Sequence, residues 1–216
     1  MIKAMIFDLD GTLVDSLADL VTSINTVLAH EDLPLRESAE IRLMIGQGMA
    51  NLVRRAIPET LHGTEIETRM LAAAKADYDR RCIEKTRPYA GMPPLLEELR
   101  ARGIALAVLS NKPDAFVLRI VGALFPEGTF AEARGERSDF PKKPDPASAL
   151  DIVRRLGVEP ASCAFVGDSG VDIATGRAAG MLTIGVTWGY REQAELEAGG
   201  AAVLVNKPEE ILGLLG

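Results

Sequence analysis

Two aspartates near the start of the chain have the types and the spacing of a chemical site. Asp8 and Asp10 lie in the segment Asp8-Leu9-Asp10-Gly11-Thr12, directly after the apolar run at 4–7. A buried carboxylate is costly to keep charged, so two of them at the end of a buried strand favour a bound cation or a bound proton. An acidic turn is the alternative, because Asp-Gly is a common turn dipeptide.

The acidic residues suit a reaction at phosphorus. Mg²⁺ prefers oxygen ligands and is commonly held by one or two carboxylates together with a substrate phosphate, and Asp8 and Asp168 can supply those carboxylates. Asp8 could attack phosphorus as a nucleophile and form an aspartyl phosphate. Asp10 would then protonate the leaving oxygen and later activate water, as a general acid and base.

Three further side chains could stabilise the charge on phosphoryl oxygens. We expect Lys143, Ser110 and Asn111 to supply positive charge and hydrogen-bond donors for this purpose. Lys143 follows Lys142, so a pair of surface lysines is the alternative, since lysine is usually exposed. The Pro-Asp-Pro segment that follows favours Lys143 as the site residue.

Short apolar runs that alternate with helical patterns indicate parallel strands joined by crossover helices. Five strands are predicted, at 3–7, 104–109, 163–166, 183–186 and 202–205. Polar clusters follow the first three strands, at 8–12, 110–112 and 167–170. Ligands bind beyond the carboxyl ends of the strands in an open parallel sheet, so we expect one shared crevice. The predicted fold class is α/β, with a doubly wound, mostly parallel sheet and a Rossmann-like core.

Two helix starts are predicted from prolines that follow polar residues. Pro113 follows the second cluster, and Pro146 follows Asp145, which suits an N-cap with proline in the first helical position.

The segment 16–87 interrupts this alternation, because it has helical periodicity and no convincing strand. Apolar residues at 17, 20, 21, 24, 27 and 28 form one face of a first helix. We therefore predict an inserted all-helical domain at 16–87 and a catalytic core made of 1–15 and 88–216.

Composition excludes several classes of partner. The chain has 216 residues, 47% of them hydrophobic, and 24 basic against 31 acidic residues give a formal net charge of −7. Without a long run of Lys or Arg, nucleic acid is not an expected partner. No apolar run is long enough to span a membrane and no leader segment precedes the first strand, so a soluble cytoplasmic protein is expected. The sequence leaves monomer and homodimer open.

Four motifs in order resemble the haloacid dehalogenase superfamily, in its phosphatase branch with a helical cap. The motifs are Asp8-Leu-Asp-Gly-Thr, Ser110-Asn111-Lys112, Lys143-Pro-Asp-Pro, and Gly167-Asp168-Ser-Gly-Val-Asp172. The resemblance covers essentially the whole chain.

The resemblance implies a role for each matching residue. Asp8 is the nucleophile, Asp10 the acid and base, Ser110 a phosphate ligand and Lys143 the cation that orients phosphate and nucleophile. Mg²⁺ would be held by three ligands, namely the Asp8 carboxylate, the Asp10 main-chain carbonyl and the Asp168 carboxylate. Asp172 would support the water molecules of the metal.

Further segments resemble phosphoglycolate phosphatases in particular, which implies 2-phosphoglycolate as substrate. They are Pro88-Tyr89-Ala90-Gly91, Ser110-Asn-Lys-Pro113 and Thr187-Trp188-Gly189-Tyr190. Ala90 departs from the proline usual at its position. The family resemblance also implies that the loop containing Gln47 helps to select the substrate, although a simple glycine-rich connection between helices is an equal alternative. Trp188 and Tyr190 are expected either to line the site or to pack in the core.

Several other functions share part of this pattern. Within the superfamily these are an inorganic pyrophosphatase, a sugar phosphomutase and a metal-independent dehalogenase. A non-enzymatic receiver module is the rival from another class, because it also carries acidic residues and a lysine around a phosphorylatable aspartate. The large insertion after Asp8 and the presence of Asp10 argue against such a module, which must keep its phosphoryl group. A small phosphorylated metabolite is therefore the expected partner.

Overall fold

The structure is a computed structural model that describes residues 1–215. Its strands are β1 (Ala4–Phe7), β2 (Val14–Asp15), β3 (Arg87–Pro88), β4 (Ala105–Pro113), β5 (Glu132–Glu136), β6 (Cys163–Gly167), β7 (Leu182–Val186) and β8 (Val203–Val205). Its α-helices are α1 (Leu17–His30), α2 (Ser38–Met44), α3 (Met49–Ala56), α4 (Glu65–Arg81), α5 (Met92–Ala101), α6 (Asp114–Leu124), α7 (Ala147–Arg155), α8 (Gly170–Ala178) and α9 (Gln193–Gly199). Short 3₁₀ segments are Glu59–Leu61, Pro160–Ser162 and Pro208–Leu215.

The chain divides into two compact units. One unit contains Met1–Asp15 together with the described residues from Pro88 onward, and the other is Ser16–Arg87. Among the described residues, no helix is both long and apolar enough to cross a membrane.

The first unit contains a six-stranded sheet in the order β5-β4-β1-β6-β7-β8. Each recorded strand pairing in this sheet is parallel. β1 lies at the centre, where Phe7 is in register with Val108 of β4 and with Val166 of β6. This arrangement confirms the predicted α/β class with a parallel, Rossmann-like sheet.

Both faces of the central strands are buried. Ala4 and Ile6 pack in a cluster with Ile152 and Val153 of α7, while Met5 and Phe7 alternate to the opposite face and are also fully buried. Strands that are covered on both faces read as continuous apolar runs, which is why β1 and β6 were predictable from the sequence.

The second unit is built from α1 to α4. On α1 the buried side chains include Leu20, Ile24, Val27 and Leu28, which belong to the predicted apolar face. Asp19 is buried as well, and its carboxylate accepts hydrogen bonds from the backbone N–H groups of residues 85 and 86 and from the Thr86 hydroxyl. These bonds satisfy a charge that would otherwise be costly in this environment.

The predicted end of the second strand was wrong. β4 continues through Ser110, Asn111 and Lys112 to Pro113, whereas the sequence predicted that the strand ends at Leu109 and that a polar cluster follows it. The reason is an irregular pairing in which Leu109 matches Arg134 and Pro113 matches Glu136, so four steps along β4 correspond to two along β5. The polar segment therefore belongs to the strand as a bulge.

The two helix starts differ from the prediction by one position. Pro113 and Pro146 are the N-cap residues themselves, and α6 and α7 begin at the next residue. Asp145 still caps the start of α7, because its Oδ1 accepts a hydrogen bond of 2.8 Å from the Ala147 N–H.

The edge strand β5 was not predicted, because its sequence Glu-Ala-Arg-Gly-Glu has few apolar residues. Its central residue, Arg134, is nevertheless 2% exposed. Arg134 Nη2 lies 2.9 Å from Asp151 Oδ2 of α7, and Nη1 lies 3.3 Å from Ser148 Oγ. A buried ion pair therefore joins this edge strand to α7.

We predict that Arg134→Met lowers the free energy of unfolding by about 1–3 kcal/mol, because it removes the buried hydrogen bonds of the guanidinium, while Arg154 and Arg155 still pair with Asp151. Arg137→Met is the matched control, since Arg137 pairs with Asp139 at the surface and its loss should cost less than about 1 kcal/mol. Urea unfolding of both variants measures the difference. Equal losses would show that the buried pair contributes no more than the exposed one.

Candidate active site

The candidate site lies beside β1, where the order in which the chain adds strands to the sheet reverses. From β1 the chain continues to β4 and β5 on one side, and later returns to β6 on the other side. Asp8 directly follows β1, and its N–H donates to the carbonyl of Val166 in β6 at 2.9 Å. Asp168 directly follows β6. Ligand sites form at such switch points, because the connections leave in opposite directions and open a crevice.

A lysine lies between two of the carboxylates in this crevice. Lys143 Nζ is 2.9 Å from Asp8 Oδ1 and 2.6 Å from Asp172 Oδ1, and all three side chains are buried. Burial alone would lower the pKa of Lys143, but the negative charges of Asp172 and Asp8 outweigh it and raise that pKa above its ordinary value. Lys143 therefore stays charged. Lys142, by contrast, has 40% of its side chain exposed and pairs with Glu136.

The negative charge of the carboxylates in this cluster exceeds the positive charge of Lys143. Burial raises the pKa of the Asp8 carboxyl to about 6 against the opposing effect of Lys143, and the charge of Asp172 adds to the rise. Burial also raises the pKa of the Asp168 carboxyl well above its ordinary value, with Asp172 and Asp8 as further causes. Three carboxylates facing one ammonium leave excess negative charge in the interior.

Two glycines make room for the Asp168 carboxylate. Gly11 has φ of +86°, and a Cβ there would lie 2.3 Å from Asp168 Oδ2, while a Cβ at Gly189 would lie 2.2 Å from Asp168 Cβ. The backbone N–H of Tyr190 donates to Asp168 Oδ2 at 2.6 Å. Asp168 is thus held against backbone in a place where only glycine fits.

The residues present fit a hard divalent cation. Oxygen atoms of Asp8, Asp168 and Asp172 lie within 4.8 Å of one another, and all three residues are buried. Within the described part of the chain, Asp8 Oδ1 is buried and contacts the Lys143 ammonium at 2.9 Å. An all-oxygen set with excess negative charge is the chemistry that Mg²⁺ prefers.

Asp172 is already engaged by other groups. Its Oδ2 accepts from the Ser169 hydroxyl at 2.6 Å and from the Ser169 N–H at 3.1 Å, which caps the start of α8. Its Oδ1 accepts from Lys143 at 2.6 Å. Asp172 thus links Lys143 to the start of α8, a contact that the sequence did not reveal.

The Asn111 side chain positions Lys143 by binding the backbone of Lys143. The Asn111 amide donates to the Lys143 carbonyl at 3.0 Å, and its oxygen accepts from the Lys143 N–H at 2.9 Å. Direct contact of Asn111 with a substrate stays a prediction. Ser110 is buried at the same bulge, and its Oγ accepts from the Lys112 N–H at 3.3 Å.

A second buried lysine was missed by the analysis of the sequence. Lys112 Nζ lies 2.8 Å from Asp10 Oδ1 and 2.7 Å from Asp10 Oδ2. The signal was available, since Lys112 is two residues from Ser110 and side chains two apart on a strand share a face. This signal was not used, because residues 110–112 were placed in a polar cluster after the end of the strand.

Gln47 belongs to the other unit. It is exposed in the turn between α2 and α3, and its Oε1 accepts a hydrogen bond from the Asn51 amide. Its part in substrate selection stays a prediction.

Trp188 and Tyr190 lie in the loop after β7 and contact the segment that follows Asp10. Trp188 Nε1 donates to the Thr12 carbonyl at 3.1 Å, and the Tyr190 hydroxyl donates to Asp15 Oδ1 at 3.3 Å. These contacts support the turn that carries Asp10 and Thr12.

Comparison with known proteins agrees with the geometry. The family model described as haloacid dehalogenase-like hydrolase matches residues 5–186. A phosphoglycolate phosphatase of Rhodospirillum rubrum is 35% identical, covering 94% of this chain and 87% of its own length. Another, from Chromobacterium violaceum, is 34% identical, covering 99% of this chain and 96% of its own length.

Solved structures agree with the fold. The crystal structure of a predicted phosphoglycolate phosphatase from Haemophilus somnus has a TM-score of 0.92 at 32% identity, covering 100% of this chain and 98% of that chain. β-Phosphoglucomutase from Clostridium difficile has a TM-score of 0.80 at 20% identity, covering 98% of this chain and 93% of that chain, which shows the fold alone.

The family model and these relatives confirm the predicted class of enzyme, a phosphoric monoester hydrolase. With the family model matching residues 5–186 and acidic, lysine and serine motifs gathered at the ends of β1, β4 and β6, the chain belongs to the haloacid dehalogenase-like hydrolases.

Proposed function

We propose that this hydrolase is a Mg²⁺-dependent phosphatase that acts on a small phosphomonoester, 2-phosphoglycolate in particular, through an aspartyl phosphate on Asp8. The observation that carries the proposal is the buried set of Asp8, Asp168 and Asp172 around Lys143 at the switch point of the sheet.

Asp8, the Asp10 main-chain carbonyl and Asp168 are the groups that would hold Mg²⁺. Bound there, Mg²⁺ would neutralise part of the negative charge of carboxylate and phosphate and allow the two anions to approach. Lys143 lies beside Asp8 and supplies a fixed positive charge from the protein itself.

The reaction proceeds in two displacements. The Asp8 carboxylate attacks phosphorus, the bond from phosphorus to the alcohol oxygen breaks, and the leaving oxygen takes a proton from Asp10. Asp10 then removes a proton from water, whose oxygen attacks phosphorus and breaks the acyl phosphate bond. Inorganic phosphate leaves, and Asp8 returns to its carboxylate form.

The substrate part of the proposal rests on the named relatives, which are phosphoglycolate phosphatases, and on the motif resemblance. The net charge of −7 would not attract an anion over distance, so recognition of a small phosphorylated acid depends on the few cations in the site.

A screen of phosphorylated metabolites tests the substrate and the metal together. With Mg²⁺, we expect 2-phosphoglycolate to be hydrolysed with the highest kcat/KM and to release inorganic phosphate, and we expect a chelator to stop turnover until Mg²⁺ is restored. A preference for pyrophosphate would make the protein a pyrophosphatase. Transfer of phosphate between sugar positions without release would make it a phosphomutase, and activity unaffected by chelation would contradict the metal requirement.

We predict that Asp8→Asn lowers kcat by at least about 10⁴-fold, because the amide is a much weaker nucleophile than the carboxylate. The melting temperature should not fall, since the change removes one negative charge from a repelling cluster. Asp139→Asn is the control, because Asp139 pairs with Arg137 at the surface and should retain full activity. Near-normal turnover by Asp8→Asn would refute the aspartyl phosphate.

We predict that Asp10→Asn lowers kcat by about 10²- to 10⁴-fold, the usual contribution of a general acid and base. Mg²⁺ affinity should change little, because the main-chain carbonyl of residue 10 remains. Steady-state kinetics and Mg²⁺ titration measure the two effects separately. Complete loss of Mg²⁺ binding would instead assign the Asp10 side chain to the metal.

A further inference from the structure

We propose that Lys112 is a positioning residue, whose ammonium fixes the Asp10 carboxyl group in the orientation that proton transfer requires. This proposal rests on the proposed function and deepens it. It gives the site two lysines with separate tasks, since Lys143 pairs with Asp8 and Asp172 while Lys112 pairs with Asp10.

The contact between Lys112 and Asp10 is buried and symmetric. The Lys112 side chain is 4% exposed and that of Asp10 is 10% exposed. The ammonium lies 2.8 and 2.7 Å from the two carboxyl oxygens. Because it spans both oxygens, one of them remains an acceptor for Lys112 when the other carries a proton. The orientation of Asp10 is therefore maintained whether it is about to donate a proton or to accept one.

The backbone of β4 is shaped to place this lysine. The irregular pairing between Leu109 and Pro113 inserts extra residues into β4 relative to β5. A bulge of this kind changes the direction of the side chains it carries, and bulges are frequent beside active sites. A hydrogen bond within the bulge stabilises it, because the Lys112 N–H donates to Ser110 Oγ at 3.3 Å.

A glycine of β5 allows the backbone of Lys112 to come close. A Cβ at Gly135 would lie 2.4 Å from the Lys112 carbonyl oxygen and 2.5 Å from Asp114 Cα, which are backbone atoms that cannot turn aside. The Gly135 N–H also donates to Asp114 Oδ1 at 2.7 Å. Any side chain at position 135 would push Lys112 away from its place while leaving its charge intact.

For a substrate with a good leaving group, only the second displacement needs proton transfer by Asp10, and this difference provides a test. With 4-nitrophenyl phosphate the leaving group is stable as an anion, so the first displacement proceeds without a proton from Asp10. Removal of a proton from water in the second displacement still needs Asp10. A displaced Asp10 should therefore slow the second step and the hydrolysis of alkyl phosphates, but not the first step with 4-nitrophenyl phosphate.

We test the proposal with Lys112→Met in stopped-flow kinetics with Mg²⁺. We expect a burst of about one nitrophenolate per active site at close to the wild-type rate, followed by slow turnover. With 2-phosphoglycolate, kcat should fall about 10- to 100-fold, the scale of a misplaced catalytic group. Gly135→Ala, which displaces the lysine without removing it, should give the same pattern in a milder form.

Two variants provide matched controls for this experiment. Lys142→Met removes an exposed lysine, and Gly122→Ala adds a Cβ to a helical glycine where, apart from the surrounding helix backbone, no atom of the described chain lies within 4 Å of that Cβ. Both should behave as wild type. Equal slowing of burst and steady state in Lys112→Met, or wild-type kinetics in that variant, would overturn the role of Lys112. If the wild-type enzyme hydrolyses no phosphomonoester at all, the proposed function itself fails.

Discussion

The main physical constraint on the first unit is the repulsion between three carboxylates that are buried close together. Asp8, Asp168 and Asp172 present oxygens within 4.8 Å of one another beyond the carboxyl ends of the central strands. Repulsion between such charges is weakly screened in the interior, so the arrangement requires positive charge that cannot move away. Lys143 supplies one such charge, while burial, against the effect of Lys143, and the charge of Asp172 raise the pKa of Asp8 to about 6. A divalent cation would complete the balance.

The position of Lys143 also depends on residues outside the charged cluster. Asn111 binds both the N–H and the carbonyl of Lys143, although 32 residues separate them in sequence. Asn111 itself lies in the bulge of β4, and that bulge exists because β4 and β5 pair irregularly. The edge strand β5 is in turn held to α7 by the buried Arg134 and Asp151. Remote packing thus determines the position of the ammonium.

The sequence predicted those parts of the fold that local patterns encode. The central strands are apolar on both faces, and Asp8 and Asp168 directly follow them. The sheet and the acidic cluster could therefore both be predicted from the sequence. β5 could not be predicted, because its sequence has few apolar residues and its contacts, the pairing with β4 and the ion pair of Arg134 with Asp151, come from distant parts of the chain. The same holds for the bulge at 110–112. Its polar residues look like a loop until the partner strand defines their register.

Asp8 and Asp10 are only two residues apart, yet their side chains belong to different ion pairs. Each is paired with its own lysine, and the two lysines come from different segments, β4 for Lys112 and the segment before α7 for Lys143. Burial and the charge of Asp172 raise the pKa of Asp8 more than the charge of Asp10 does. Separate ion pairs suit two successive displacements, because Asp8 is the nucleophile in the first and the leaving group in the second, while Asp10 first donates a proton and then accepts one.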